Sequence, residues 1–304
     1  MRSRTTPLHR RLFAIVVLVQ VLCGAVLPNG ALHAQNGKPY TSHEVGGGAS
    51  RAGSWYASYG WNEDRYTRSK LHFSGRDHDF VLYDVEGHQR QNRFTAREFL
   101  NPLTLTIPQF NLRIGYYVRD DLDLSIGMDH MKYVVRQGQT VRIDGYIKNT
   151  DSRHDGVYSN AEKQITRGWL AFEHTDGLNW FHVTLRKHQS LLVWRWVDLR
   201  AFESLGVGAL TPRTDAEILL RERHDRYRLA GYAVGASGGL NLTLWRFFFL
   251  ECEGKAGFFH IVDARTSQDP ADRARHHAFF GQAVVVFGGR WRLPSSPAQP
   301  SPVR

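Results

Sequence analysis

The stretch at residues 231–244, GYAVGASGGLNLTL, decides the fold of this chain. Its even-numbered positions are mostly apolar, among them Tyr232, Val234, Leu240 and Leu242, whereas its odd-numbered positions are small or polar. A period of two that persists over 14 residues indicates a β-strand, and one longer than the usual strand of about 5–6 residues. A strand of this length with two such different faces fits the wall of a barrel better than an ordinary sheet.

The same alternation recurs along the chain and predicts eight strands, at about 53–62, 108–118, 121–134, 168–186, 194–209, 228–243, 247–261 and 277–293. Short turns are predicted at 119–121, 187–193 and 244–246, and long polar loops at 63–107, 135–167, 210–227 and 262–276. Within the first loop, residues 70–73 and 80–85 predict a hairpin that extends the wall above the membrane.

An even number of strands, with short turns on one rim and long loops on the other, is typical of outer-membrane barrels. We therefore predict an all-β fold, an eight-stranded antiparallel transmembrane β-barrel with short periplasmic turns and long extracellular loops. A soluble sandwich or lipocalin-like barrel is the alternative, because alternation alone does not tell inside from outside. Strands long enough for a span of about 9–11 residues, with aromatic residues near their ends, favour the membrane.

The amino terminus has the pattern of a targeting signal rather than of a folded element. Arginines at positions 2, 4, 10 and 11 precede an apolar stretch at 12–27, and small residues lead to Ala34. This is the pattern of a signal peptide over 1–34, with an uncleaved anchor or a lipoprotein signal at Cys23 as alternatives. We expect a periplasmic segment at 35–52, the barrel at 53–293 and a disordered tail at 294–304, all in a bacterial outer membrane.

Composition and charge exclude several classes of protein. Hydrophobic residues make up 42% and charged residues 22% of the chain, which excludes a disordered polar chain. Beyond residue 34 no apolar run approaches the ~20 residues of a helical span. The formal charge of +10 could suggest nucleic acid, but basic and acidic residues are interleaved along the loops. We therefore predict no nucleic-acid partner, and expect the cations to face lipopolysaccharide phosphates.

No motif that carries chemistry is recognised: the sequence has no P-loop, dinucleotide fingerprint, paired CxxC or HExxH. The fifteen histidines are scattered, and those at 78, 276 and 277 fall in predicted polar loops, where solvation is the simplest reading. We therefore predict no metal and no cofactor.

Gly288, Trp291 and Leu293, at the end of the last strand, resemble the carboxyl-terminal targeting signal of outer-membrane proteins, although Leu replaces the usual Phe. The resemblance implies the barrel assembly machinery as a partner. Residues 53–293 as a whole resemble the small eight-stranded outer-membrane barrels of the OmpA, OmpX, PagP and PagL types. That class includes anchors, adhesins and enzymes, so the resemblance implies an architecture and an envelope location rather than one activity.

One cluster of ionisable residues stands out. If strands 121–134 and 168–186 are antiparallel neighbours, their loop-side ends meet. Parity then places Asp129, His174 and Asp176 in the lumen as candidate catalytic residues, and His130 and Lys132 outside as candidate lipid-headgroup contacts. Ionisable residues at membrane depth suggest function, and a carboxylate beside a histidine is what acid–base chemistry needs. The His174 segment resembles the His-x-Ser pair of PagL-type deacylases, with Asp176 in the place of the nucleophile.

A structural explanation competes with catalysis. The charges predicted to face the lumen could form a network of ion pairs, with the further members Arg113, Asp123, Arg186, Glu251, Glu253, Lys255 and Arg290.

Two functions therefore stay open. The first is a non-enzymatic surface or envelope barrel with ligand- or lipopolysaccharide-contacting loops and an unknown extracellular ligand. The second is an outer-leaflet lipid-modifying enzyme, a lipid A or phospholipid acyl hydrolase that uses the His174 cluster. A diffusion pore ranks third, since side chains fill an eight-stranded barrel.

Overall fold

The computed structural model describes residues 50–92, 95, 108–224 and 226–293, so the predicted signal peptide and tail lie outside the described residues. These residues form fifteen strands: β1 (Trp55–Tyr66), β2 (Ser69–Ser74), β3 (His78–Val85), β4 (Gly87–His88), β5 (Phe110–Arg119), β6 (Leu122–Val135), β7 (Thr140–Ile147), β8 (Gly156–Gln164), β9 (Leu170–Trp194), β10 (Val197–Pro212), β11 (Asp215–Ile218), β12 (Arg221–His224), β13 (Gly231–Leu244), β14 (Phe248–Arg265) and β15 (Arg273–Trp291). Within the described part of the chain, no helix is long and apolar enough to cross a membrane.

Eight of the strands close into a ring. They pair antiparallel in the order β1, β5, β6, β9, β10, β13, β14 and β15, and β15 returns to β1 with Trp291 opposite Trp55 and Phe280 opposite Tyr66. Each of the eight predicted strands corresponds to one of these. The structure therefore confirms the predicted eight-stranded antiparallel barrel.

The short turns differ from the prediction at one place. β5 and β6 meet at Asp120 and Asp121, and β13 and β14 meet at residues 245–247, as expected. The turn predicted at 187–193 is wrong, because β9 continues to Trp194 and the chain turns at Arg195 and Trp196. The alternation in β9 weakens beyond His188, and for this reason the predicted strand ended before the true end of β9.

The segments predicted as long loops contain much more sheet than expected. The hairpin predicted at 70–73 and 80–85 is confirmed as β2 and β3, and β7 and β8 continue the sheet beyond β3. β11 pairs with β9 and β12, β4 pairs with β6, and β14 and β15 extend through most of 262–276. These long connections are therefore not irregular throughout, since a large part of each forms strands that build the wall upward.

The wall has two sections of opposite polarity. We call the part formed by residues 55–61, 110–118, 122–129, 180–194, 197–209, 232–244, 248–258 and 279–291 the membrane section, and the remaining strands above it the extracellular section. In the membrane section large apolar side chains point outward; Ile126, Leu205 and Phe279 are 63%, 69% and 62% exposed. Burying one such side chain gains about 1.5–3 kcal/mol, so a continuous belt of them requires a lipid environment.

The extracellular section has the reverse arrangement. Its interior is a dry core whose members include Leu71, Phe73, Phe80, Leu82, Met131, Tyr133, Ile143, Trp169, Phe172 and Phe259, all fully or almost fully buried. The soluble-barrel alternative fails for the membrane section, where the apolar face is outside and the polar face inside. The chain is therefore a transmembrane β-barrel of the outer-membrane type, topped by a water-exposed β-structure with its own core.

Candidate functional site

A network of ion pairs fills the lumen of the membrane section. The Arg113 guanidinium lies 3.2 Å from Glu253 and 3.6 Å from Glu251. Arg186 on β9 contacts the Glu251 carboxylate of β14 at 2.8 Å across the lumen, since these two strands are not neighbours in the ring. All four side chains are buried. Charges removed from water in this way are stable only when each has a partner of opposite sign.

Asp129, the first candidate catalytic residue, is part of the same network. The ammonium group of Lys255 contacts one oxygen of its carboxylate. Asn111 donates to the other oxygen at 2.6 Å, and the Nε2 atom of His182 lies 3.3 Å from that oxygen. The Lys255 ammonium also lies 5.3 Å from the centre of the Trp180 ring. Asp129 is thus a fully bonded carboxylate in a packed interior.

The remaining predicted network members lie toward the periplasmic end. Asp123 accepts a hydrogen bond from the Tyr56 hydroxyl at 2.7 Å, and the Nε2 atom of His188 lies 2.6 Å from its second oxygen. Arg290 donates instead to the backbone carbonyl of Arg246 at the turn between β13 and β14. The prediction of a lumen network therefore holds for six of its seven further members, and Arg290 belongs to the rim.

His174 lies in the extracellular section, away from Asp129. In the pairing of β6 with β9, Asp129 is opposite Trp180, whereas His174 is opposite Tyr133, farther along both strands. The Nε2 atom of His174 is 3.0 Å from Nε2 of His276, and its Nδ1 is 3.2 Å from the Thr214 hydroxyl. Burial lowers the pKa of His174 to about 3. The ring is a neutral member of an aromatic core.

His276 is the residue that the sequence reasoning missed. It was expected in a solvated loop, but it is fully buried on β15, and its ring stacks on that of His174 with centroids 5.2 Å apart. The signal was present, because the inward alternation of β15 continues upward through Ala278, His276 and Ala274. Desolvation lowers the pKa of His276 well below its usual value.

Asp176 faces outward, contrary to the parity prediction. Met131 pairs with Leu178 and Tyr133 with His174, so Thr175, Asp176 and Gly177 bulge out opposite a single residue of β6. Gly177 has φ of +136°, a conformation that other residues rarely adopt. The Asp176 side chain is 60% exposed and forms an ion pair with Arg213 at 2.9 Å. The three candidate catalytic residues thus lie in three different environments and form no acid–base pair.

His130 and Lys132 point outward from β6, as parity predicts, but both are buried rather than open to lipid. The Nδ1 atom of His130 lies 2.7 Å from Oδ1 of Asn179, and its ring stacks on Phe110 with centroids 5.0 Å apart. Together with Arg213 and Tyr227 they line a recess of about 740 Å³ in the outer wall. The two predicted headgroup contacts therefore line the same recess.

A second cluster lies at the top of the extracellular section. Asp77, His78 and Asp272 place ligand-type atoms within 4.8 Å of one another. The guanidinium of Arg221 contacts Asp77 and lies 3.3 Å from Asp272. Carboxylate and imidazole groups are ligands that divalent metals accept, but in this structure an arginine supplies the positive charge. No spacing motif marks this cluster in the sequence, because its three ligand-type residues come from two separate connections and Arg221 comes from a third.

Comparisons with known proteins give likeness in fold only. No protein-family model matches the sequence, and the comparison with curated proteins found no match. Among solved structures, the outer membrane protein AlkL has a TM-score of 0.38 at 11% identity, covering 86% of this chain and 100% of its own. OprG from Pseudomonas aeruginosa has a TM-score of 0.35 at 8% identity, covering 80% and 98%. Ail of Yersinia pestis has a TM-score of 0.29 at 9% identity, covering 79% and 99%. At these scores the matches add nothing to the architecture that the strand pairing itself defines.

Proposed function

We propose that this chain is a non-enzymatic envelope barrel of the bacterial outer membrane, whose outer wall and extracellular section contact lipopolysaccharide. The observation that carries the proposal is that the interior is closed at two levels. In the membrane section the ion-pair network fills the lumen, and the cavity between Arg113, Trp180 and Lys255 measures about 10 Å³. That is room for about one water molecule.

The extracellular section supports the same proposal. Above the ion pairs, the lumen continues into the dry core around Phe172, Tyr133 and Phe259. An enzyme acting on outer-leaflet lipid needs its reactive groups where a substrate can reach them. His174 is enclosed in this core, Asp129 is fully bonded in the lumen, and only Asp176 is at the surface. A rigid β-structure on a closed barrel fits a role in binding better than one in turnover.

The test is a pair of measurements on the refolded, full-length mature barrel in vesicles. We expect no ion conductance above that of protein-free bilayers. We also expect no change in the mass of lipid A or phospholipid after prolonged incubation. Steady conductance would contradict a closed barrel. Lipid cleavage that disappears in His174→Gln but persists in His277→Gln, a neighbouring exposed histidine, would restore the enzyme hypothesis.

Assembly follows from the same architecture. β15 closes the ring against β1 over twelve paired residues, and it carries Gly288 and Trp291 of the targeting pattern, with Leu293 two residues beyond its end. In this proposal β15 is the strand presented to the barrel assembly machinery. Outer-membrane lipid then covers the apolar belt, and the extracellular section stands above the headgroups.

A further inference from the structure

The outer-wall recess begins as a row of outward-facing residues at the upper edge of the apolar belt. Phe110, His130, Asn179 and Thr211 are successive cross-strand partners on β5, β6, β9 and β10. The next row down consists of Leu112, Met128, Phe181 and Ala209. The surface therefore changes from hydrocarbon-facing to polar within one row, which marks the headgroup level of the outer leaflet.

An overhang covers this row and turns it into a recess. The bulge at Thr175 and Asp176 forms one side, and the segment that enters β13 forms the other. The Tyr227 hydroxyl donates to the backbone carbonyl of Asp176 at 2.5 Å, which ties the two sides together. The recess is open to the outside, and its volume of about 740 Å³ is within the range of small-molecule binding sites.

The chemistry of the recess is cationic above and apolar below. Its lining holds three cations, Lys132, Arg213 and Arg228, against one carboxylate, Asp176. The ion pair of Arg213 with Asp176 is half-exposed, and such pairs are worth little and exchange partners easily. Arg228 forms an ion pair with Asp263 at 2.6 Å. Below the cations, Met128, Phe181 and Leu229 provide an apolar floor that continues into the belt.

A buried polar atom in the recess lacks a hydrogen-bond partner among the described residues. His130 is 5% exposed, and while its Nδ1 atom is bonded to Asn179, its Nε2 atom makes no hydrogen bond within that part of the chain. An unsatisfied buried polar atom costs about 1–3 kcal/mol. A polar headgroup in the recess would satisfy it, by donating a hydroxyl or amide hydrogen to Nε2 or by accepting a hydrogen from the protonated ring.

From this geometry we infer that the recess binds one phosphorylated, multiply acylated lipid of the outer leaflet, with a phosphate against Lys132 and Arg213 and acyl chains along Met128 and Phe181. The inference deepens the proposed function and rests on its orientation of the barrel, with the extracellular section standing above the headgroups of the outer leaflet. A free anion would use the cations but leave the apolar floor in water. A lipid uses both, and its chains continue directly into the surrounding hydrocarbon.

The experiment uses the refolded barrel in nanodiscs of phosphatidylcholine that contain a minor fraction of one test lipid. The test lipids are diphosphorylated lipid A, the same lipid without phosphates, and phosphatidylglycerol. Native mass spectrometry then measures the fraction of barrel that keeps one test lipid. We expect diphosphorylated lipid A to be kept in preference to both others, and millimolar inorganic phosphate not to displace it.

Charge-removing variants locate the binding. Lys132→Gln and Arg213→Gln should each lower the kept fraction roughly five-fold, as expected for one cation near an anionic lipid surface. The matched control is Lys187→Gln, which removes an exposed cation from the periplasmic half of β9 and should leave lipid retention unchanged. A heat-dependent shift in gel mobility reports folding of each variant separately.

The outcomes separate the two proposals. Equal retention of phosphatidylglycerol, displacement by inorganic phosphate, or equal losses in all three variants would overturn the inference while leaving the closed barrel intact. A lipid of reduced mass bound to the barrel would instead overturn the non-enzymatic function. Selective loss in Lys132→Gln and Arg213→Gln, with intact lipid, supports both.

Discussion

Asp129 and Lys255 show what a single residue contributes inside the lumen. Replacing Lys255 with Met leaves a buried carboxylate that keeps its hydrogen bonds to Asn111 and His182 but has lost the cation in contact with it. Breaking a buried ion pair in this way costs about 3–5 kcal/mol. We expect Lys255→Met to lower the free energy of unfolding by that amount, measured by urea titration in lipid vesicles.

The double variant Lys255→Met with Asp129→Asn removes both charges, and an amide can keep the hydrogen bond from Asn111. It should regain most of the lost stability, since the cost lies in the unpaired charge and not in the missing pair. If the double variant is as unstable as the single one, the lumen charges are not coupled as the distances indicate.

The stacked pair His174 and His276 predicts a dependence of stability on pH. Their pKa values are lowered by burial in the folded chain, that of His174 from 6.5 to about 3. Above pH ~6.5 both rings are neutral whether the chain is folded or unfolded. Below it the unfolded chain binds protons that the folded chain does not, so stability falls by about 1.4 kcal/mol per pH unit and histidine, in the case of His174 until about pH 3.

Urea midpoints measured between pH 7 and 5 check this slope. His174→Gln should reduce the slope because one titrating ring is gone, while the exposed neighbour His277→Gln should keep it. An unchanged slope in His174→Gln would mean that the pair is already solvated or protonated in the folded barrel.

Parity predicted the residue positions well wherever β-pairing is regular. It placed Asp129 and the other lumen charges inward and His130 and Lys132 outward, and the structure agrees. It failed at Asp176, because the bulge at 175–177 changes the count, and no local pattern except Gly177 marks the change. Burial of His130 and Lys132 was equally hidden, since the residues that cover them come from distant connections.

Arg221 fixes the position of the hairpin formed by β11 and β12. β11 and β12 pair with each other and β11 pairs with the upper end of β9. The Arg221 guanidinium joins this hairpin to Asp77 in the turn before β3 and to Asp272 in the turn before β15. Arg221→Gln leaves Asp272, which is buried, without its cation. We expect a loss of about 1–3 kcal/mol, confined to the extracellular section and visible as faster hydrogen exchange there.

The same variant should gain a response to metal. Without Arg221, the carboxylates of Asp77 and Asp272 and the His78 ring form a set of oxygen and nitrogen donors suited to Zn²⁺. Zn²⁺ should then raise the thermal midpoint of Arg221→Gln but not that of the parent protein. The control is Arg76→Gln, which removes an exposed ion pair to Asp269 nearby. A Zn²⁺ response in this control would show non-specific binding.

At the level of elements, the sequence predicted the barrel strands but not the extracellular sheet. The barrel strands are long and strictly alternating, so their signal accumulates over many residues. β4, β11 and β12 are two to four residues long, which is too short for a period to be seen. Residues of the upper core such as Trp169, Phe172 and Ile143 are also interrupted by charged neighbours, so the segments look polar on average.

For the whole molecule, the decisive property is which surface faces lipid. Ile126 is 63% exposed and lies on β6 midway between the turn at Asp121 and His130 of the recess. An arginine at a lipid-facing midplane position costs about 2–4 kcal/mol, and much less near the interface. We expect Ile126→Arg to cost this amount in vesicles, whereas Val118→Arg beside the periplasmic turn should cost about 0–1 kcal/mol.

Because Ile126 is exposed, a soluble barrel would accept the arginine with almost no change in stability. Equal and small effects at Ile126 and Val118 in vesicles would therefore contradict the membrane assignment. The comparison tests the orientation of the wall directly, because both substitutions are on outward faces and differ only in depth.

One continuous sheet thus lies in two different solvents, with lipid around the membrane section and water around the extracellular section. The core around Phe172 and Tyr133 is stabilised by the hydrophobic effect, and that driving force weakens on cooling. The apolar face of the membrane section stays in lipid whether the ring is tight or loose, so within the bilayer the cohesion of the ring depends on backbone hydrogen bonds and on ion pairs such as that of Arg186 with Glu251. Cold therefore loosens the outer end of the molecule while the closed ring below it persists, and the surface seen from outside the cell varies with temperature more than the span beneath it.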